Sequence, residues 1–169
     1  MEKYTVGIFS DTHGWLDTAL IQDFADCQEV WHAGDVGNKS VLKHWLGLGN
    51  LKAVWGNIDG TEIRSIFPEY QIFEIQGFRI LMIHIAGKFP RYSPKAGELI
   101  KKYNPKMLVC GHSHICRVVQ EGGLLYVNPG ASGVHGFHQK RTALKISFMD
   151  GKPVEMRILE LGDRNQIKL

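Results

Sequence analysis

The sequence predicts one mixed α/β domain, expected to span residues 1–169, and two observations carry that prediction. Short apolar runs alternate with helical patterns in the first third of the chain. In the later part, apolar runs pair across tight turn signals. A third observation puts chemistry into this frame: the chain has eight histidines and 19 glycines, and both gather around aspartates in short loops.

Taken in order, Tyr4 to Phe9 reads as a buried strand, followed by Leu16, Leu20 and Phe24 at helical spacing. Glu29 to Ala33 is a second run. Val41, Leu42, Trp45 and Leu46 then share one helical face, closed by Gly47 and Gly49, and Leu51 to Trp55 is a third run. Strand, helix, strand, helix, strand implies parallel pairing through right-handed crossovers. Tyr70–Ile75 and Phe78–Ile83 flank Gln76-Gly77, a hairpin turn. Ser93-Pro94 starts a helix, with serine as N-cap and proline in the first turn, and Asn104-Pro105 ends it. Met107 to Cys110 is another buried strand. Glu121-Gly122-Gly123 and Asp150-Gly151 then close two further hairpins, the second joining Ala143–Phe148 to Val154–Leu161. Trp31 and Trp55 are read as core residues inside strands, and Lys101-Lys102 as the solvated side of a helix.

Composition excludes several classes. A hydrophobic fraction of 44% with 22% charged residues supports a sizeable core and argues against disorder. Twenty basic against 17 acidic residues leave +3, with no clustered basic stripe of the kind that long nucleic acid needs. No apolar run approaches the ~18 residues of a membrane span, and the short run before Asp11 is wrongly flanked for a signal peptide. Three cysteines (Cys27, Cys110, Cys116) without C-x-x-C spacing argue against a disulfide framework or zinc ribbon and place the chain in the reducing cytoplasm.

Five loops share one arrangement, in which a strand ends and residues able to bind a metal come at once. They are Asp11-Thr12-His13, Gly34-Asp35, Gly56-Asn57, His84, and Gly111-His112-Ser113-His114. Open α/β sheets build their sites beyond the carboxyl ends of strands. Residues i and i+2 point the same way in an extended segment but diverge by about 200° on a helix, so Asp-x-His and His-x-His can each converge on one point. Two aspartates, one asparagine and four histidines, without sulfur, exceed what one tetrahedral zinc uses. They suit two divalent ions of the Mn, Fe, Co, Ni or Zn kind, with manganese favoured. Two such ions against two carboxylates leave a net charge of about +2, which fits a phosphate ester gaining negative charge, and they can turn a shared water into hydroxide near neutral pH. The expected chemistry is metal-assisted phosphoester hydrolysis.

The five blocks in this order resemble the calcineurin-like metallophosphoesterase superfamily, most of all its compact bacterial and archaeal phosphodiesterase branch and the related retromer subunit. The match runs from about Tyr4 to Gly130 and includes His32-Ala33-Gly34-Asp35 (H-x-G-D) and Asn128-Pro129-Gly130 (N-P-G). The resemblance implies two packed mixed β-sheets flanked by helices, in four layers, with a dinuclear metal site at one edge. It places Asp11, His13, Asp35 and His114 on one metal and Asp35, Asn57, His84 and His112 on the other, with Asp35 bridging. Asn57 is also a candidate substrate contact. His32 and Asp59 are read as supports that hold neighbours by hydrogen bonds.

Three departures stand out. Ile58 occupies the place where many members carry the histidine thought to protonate the leaving group, so the general acid is unassigned. Ile85-Ala86-Gly87 replaces the branch's usual Gly-His after His84. After N-P-G the chain runs through His135, His138 and Arg141, candidate substrate contacts in a segment otherwise read as a surface loop.

The function expected is a cytoplasmic phosphodiesterase that attacks phosphorus with a metal-bridging hydroxide. The partner expected is a small phosphoester, with room for a homo-oligomer and no membrane or long nucleic acid. A non-catalytic interaction scaffold of the same fold and a nuclease are the rival readings.

Overall fold

Two five-stranded β-sheets face each other in the computed structural model, which describes residues 2–166. Residue 1 and residues 167–169 of the expected domain fall outside that range. Along the chain come β1 (Tyr4–Phe9), α1 (Ala19–Asp23), β2 (Glu29–His32), a 3-10 turn at Lys39–Leu42 leading into α2 (Lys43–Leu48), β3 (Leu51–Ala53) and α3 (Thr61–Ile66). The hairpin of β4 (Tyr70–Ile75) and β5 (Phe78–Ile83) comes next, then a small ribbon, β6 (Gly87–Lys88) with β7 (Arg91–Tyr92), and the helix α4 (Pro94–Tyr103). The last strands are β8 (Met107–Val109), β9 (Cys116–Glu121), β10 (Leu124–Pro129), β11 (Lys140–Met149) and β12 (Lys152–Asp163).

The first sheet has the order β12-β11-β1-β2-β3, in which β1, β2 and β3 are parallel and β11 and β12 alternate antiparallel. The second has the order β4-β5-β8-β10-β9, in which β5, β8 and β10 are parallel and the edge strands are antiparallel. Both sheets are therefore mixed, as the sequence pattern requires.

Period-2 alternation explains the layers. Val6 and Ile8 of β1, Leu144, Ile146 and Phe148 of β11, Ile80 and Met82 of β5, and Met107 and Val109 of β8 meet in one apolar cluster between the sheets. The alternate residues face outward: Phe9, Val30 and Ala53 pack under Leu20, Phe24, Trp45 and Ile63 of the helical side. Leu81 and Leu108 pack under Ala96 and Leu99 of α4. Sheets buried on both faces read as continuous apolar runs, which is why these strands show no polar alternation.

The helix α4 has the predicted termini: the Ser93 hydroxyl accepts the Ala96 amide at 3.3 Å, and Asn104 ends it in the left-handed region at φ 46°. Three expectations need correction. The Leu16–Phe24 pattern yields only the short α1, with Leu16 in the preceding loop but still against the core. The Val41–Leu46 stripe is broken because its first turn is a 3-10 helix, whose tighter winding shifts the phase and leaves Leu46 at the surface. Trp55 lies beyond β3, half-buried, with the Arg64 guanidinium 4.0 Å from its ring centre. α3 and the ribbon β6–β7 carry no periodic apolar signal and were not expected.

Trp31 is fully buried between the sheets, its ring 4.9 Å from Phe73 and its Nε1–H donating to Glu29. Trp31→Ala is expected to destabilise the fold by ~3–5 kcal/mol in chemical denaturation. A loss below ~1 kcal/mol would show that the two sheets do not depend on this contact.

Candidate metal centre

The carboxyl ends of β1, β2 and β3 in one sheet and of β5 and β8 in the other open onto the same edge of the molecule. Asp11 follows β1, Asp35 follows β2, Asn57 follows β3, His84 follows β5, and His112 and His114 follow β8. The structure gathers them into two groups. Asp11, His13 and His114 form one, and Asp35, His84 and His112 the other; within each, a donor atom from every residue lies within 4.8 Å of the others.

Asp35 joins the groups. Its Oδ1 lies 3.2 Å from His84 Nε2, and its Oδ2 lies 3.5 Å from His13 Nε2. Asn57 Oδ1 completes the second group at 3.1 Å from His84 Nε2 and 3.0 Å from His112 Nδ1. Asp11 Oδ1 lies 3.1 Å from His114 Nε2, and buried Asp11 Oδ1 and His13 Nε2 make no hydrogen bond. His84 Nδ1–H donates to the Ala33 carbonyl at 2.7 Å, which turns its Nε2 inward. Lone pairs crowded against lone pairs repel unless a proton or cation lies among them. An all N/O donor set of carboxylate, amide and imidazole suits divalent first-row ions.

The backbone reaches this arrangement in a way the spacing does not foretell. Asp11, His13, Asp35, His112 and His114 all adopt positive φ, between 46° and 69°. Such conformations cost a non-glycine residue of order 1–3 kcal/mol, and aspartate, asparagine and histidine bear them best. The two-residue spacings are therefore left-handed turns, not extended segments. In Gly111-His112-Ser113-His114 the two imidazoles separate, His112 to one group and His114 to the other. Gly56 and Gly111 serve close approach: a Cβ on Gly56 would overlap Asp35, and one on Gly111 would overlap Ser10 and Asp11.

Buried hydrogen bonds lock these turns. The Asp59 carboxylate accepts the amides of Val36 (3.1 Å), Gly37 (2.7 Å) and Gly56 (2.8 Å), tying the Asp35 loop to the Asn57 loop. His32 Nδ1 accepts the Gly34 amide at 3.1 Å, and its Nε2–H donates to Thr12, whose hydroxyl donates to the Val36 carbonyl. Asn128 donates to the Gly111 carbonyl and Ser113, fixing the His112–His114 loop. Thr12 and Asn128 do not stand out as supports in the sequence; the N-P-G block is the one signal for Asn128.

The loop after N-P-G divides. His135 is exposed, its ring 5.0 Å from that of His13. His138 is buried, 5.2 Å from the His114 ring, with Nε2–H donating to the Gly133 carbonyl. Arg141 is buried in an ion pair with Asp17 and over the Trp15 ring, so it is not free to contact a substrate.

Burial pushes the imidazoles of His13 and His112 down and keeps them neutral. For His84, burial works the same way, but the hydrogen bond to Asp35 and the charges of Asp11 and Asp35 outweigh it and raise the net value. Burial opposes ionisation of Asp35, yet the hydrogen bond and charge of His84 hold its carboxyl below the usual range.

Residues 4–151 match the calcineurin-like phosphoesterase superfamily domain, and the chain belongs to that superfamily of metal-dependent phosphoesterases. The "Probable metallophosphoesterase" of Methanocaldococcus jannaschii is 30% identical over 151 residues, 86% of this chain and 76% of that protein. Vacuolar Protein Sorting 29 from Cryptosporidium parvum superposes with a TM-score of 0.72 at 20% identity, covering 94% of this chain and 97% of that one. A solved structure described as a novel archaeal phosphodiesterase superposes with a TM-score of 0.71 at 22% identity, covering 92% and 99%. These structural likenesses establish the shared fold.

Burial pushes His32 from 6.5 down to about 4, against the pull of the Asp11 and Asp59 charges. Unfolded chain therefore binds the extra proton between those values, so stability is full above pH 6.5 and falls as pH drops towards 4. Up to ~3 kcal/mol depends on this residue. Metal-free His32→Gln should show a shallower loss of stability over that window than the unmodified protein, in urea titrations at several pH values. Parallel profiles for the two proteins would refute it.

Proposed function

We propose that this chain is a phosphoesterase that favours phosphodiesters and works with two divalent ions. Asp11, His13, Asp35 and His114 would hold one ion, and Asp35, Asn57, His84 and His112 the other. The observation that carries this reading is Asp35, whose two carboxylate oxygens face the two groups from between them. Two such ions would polarise the phosphoryl group and bring a shared water towards ionisation near neutral pH. The carboxylate, amide and imidazole donors suit Mn²⁺, Zn²⁺, Ni²⁺, Fe²⁺ or Co²⁺, and Mn²⁺ is the ion proposed.

The chain's own groups then position the substrate. Asn57 Oδ1 faces His84 and His112, which leaves its Nδ2–H₂ to donate to a phosphoryl oxygen. Ile58 is half-exposed beside it; its amide donates to Asp35 Oδ1 at 3.0 Å, and its side chain offers no proton. Asp59 is buried and committed to three amides, so it does not replace the missing acid. The exposed imidazole of His135, its ring 5.0 Å from that of His13, is the candidate proton donor.

Three free cysteines fit a reducing cytoplasm, and no helix among the described residues is long and apolar enough to cross a membrane. A net charge of +3 fits a small phosphoester better than long nucleic acid. The scaffold reading has one observation in its favour, the apolar residues Ile58, Ile85, Ile115 and Phe137 exposed around the site.

Metal-free protein screened with Mn²⁺, Zn²⁺, Ni²⁺ and Mg²⁺ against phosphate mono- and diesters tests the activity. Diester turnover is expected with at least one of these ions; none with any of them would favour a scaffold. Elemental analysis should find close to two ions per chain at saturating Mn²⁺, and Asp35→Ala should weaken both. Fewer than one ion per chain would sink the dinuclear assignment.

Without an acid at position 58, the rate should depend steeply on leaving-group acidity. General acid assistance typically supplies ~10²–10⁴-fold for a basic leaving oxygen. Nitrophenyl diesters should therefore react far faster than alkyl diesters, and Ile58→His should improve the alkyl esters selectively. A flat dependence in the unmodified protein would mean that another acid, His135 first, is already engaged.

A further inference from the structure

Two cavities flank the candidate centre on the side of Asn57, His84 and His112, and Ile85 lines both. The larger, of about 480 Å³, has His112 in its wall and is otherwise built from Phe89, Ile115 and Tyr126, with Lys88 and Arg117 as its charged groups. The smaller, of about 400 Å³, has Asn57 and His84 in its wall and continues to Trp55, Arg64 and Lys95. Each volume falls in the range of small-molecule sites. The residues that would hold one ion therefore also form part of the inner wall of each cavity, and Ile85 stands as a ridge between them.

One of the three departures named from the sequence, Ile85-Ala86-Gly87, borders these cavities. Ile85-Ala86-Gly87 follows His84, and Gly87 begins the ribbon β6–β7 that carries Phe89 over the second sheet. Phe89 sits 5.5 Å from the Tyr126 ring at an angle of 49°, and the Arg117 guanidinium lies 5.3 Å from its centre. Ile115, next to His114 in sequence and 63% exposed, lines the same cavity. A cavity lined by two aromatic rings and isoleucines suits an apolar group, and an aromatic one can meet those rings edge or face on. No acidic residue lines it, and its two cations disfavour a positively charged occupant.

We infer that these cavities receive the two organic arms of a phosphodiester, with an aryl-bearing arm in the Phe89–Ile115–Tyr126 cavity. Phe89, Ile115 and Ile85 are thus specificity-determining residues. This rests on the phosphodiesterase reading, and it adds the chemistry of the arm. A monoester would fill one cavity at most; a diester with two small arms would fill neither.

Phosphinates test occupancy apart from turnover, because their P–C bonds are not esters. Calorimetric titration of Mn²⁺-loaded protein would compare diphenylphosphinate, dibutylphosphinate and dimethylphosphinate. Diphenylphosphinate is expected to bind about tenfold or more tightly than dimethylphosphinate, the gain from burying one large apolar group. Ile115→Ala and Phe89→Ala should each remove most of that preference. Ile115 is a surface side chain, so its variant reads the cavity even if Phe89→Ala disturbs the ribbon. Equal affinities for the two ligands, or a preference untouched by both variants, would overturn the inference. Dibutylphosphinate binding as tightly as diphenylphosphinate would overturn the aryl assignment. Selective phosphinate binding without hydrolysis of any diester would leave the cavities standing and sink the hydrolase reading instead.

Discussion

The rest of the candidate centre depends on one placement, the Asp35 carboxylate held between two sets of imidazoles. A buried carboxylate is unfavourable unless its charge is answered. Here Oδ1 accepts the Ile58 amide and lies 3.2 Å from His84 Nε2, whereas Oδ2 has only His13 Nε2 3.5 Å away, without a hydrogen bond. That placement dictates the surroundings. Position 56 must lack a Cβ, the Asp35 turn must enter the left-handed region, and Asp59 must anchor the loops on either side through three amides. Five left-handed, non-glycine residues around one point are an expensive local choice, tolerated because the sheets below fix their ends.

Those sheets are where the sequence was most legible. The runs at Tyr4–Phe9, Phe78–Ile83 and Met107–Val109 are apolar strands of the two packed sheets, so hydrophobicity alone marks them. Turn chemistry marked the hairpins: Gln76-Gly77, Gly122-Gly123 and Asp150-Gly151 all take positive φ, which few other residue pairs adopt cheaply. Legibility failed where structure is set by long-range contact. α3 buries only Ile63, which joins a cluster drawn from β1, β2 and α2, and the β6–β7 ribbon has no apolar period at all. Trp55 shows the same limit, because its environment comes from Arg64 on another element.

At the centre, residue types were readable and backbone geometry was not. Asp-x-His and His-x-His announce chemistry, but the convergence inferred from extended backbone is replaced by left-handed turns. The His112 and His114 side chains go to different groups. Spacing alone cannot distinguish these cases, since both bring i and i+2 near one edge. Supports such as Thr12 and Asn128 are equally hidden, because a buried hydrogen bond to a backbone amide or carbonyl leaves no periodic mark in the sequence.

The surface around the centre has a pattern of its own. Ile58, Ile85 and Ile115 each come directly after one of the residues placed at the candidate metals, and all three are exposed. Exposed isoleucines are unremarkable singly, but three beside one charged cluster have a common effect. Apolar neighbours displace part of the water beside the cluster, which strengthens the charge–dipole interactions they border. They also offer nothing polar to a reacting ester. On the proposed reading the chain would separate two tasks that many sites combine: the aspartates, asparagine and histidines would hold the ions, and the isoleucines would govern what lies against them. On this division, binding selectivity would come from surface that takes no part in proton transfer.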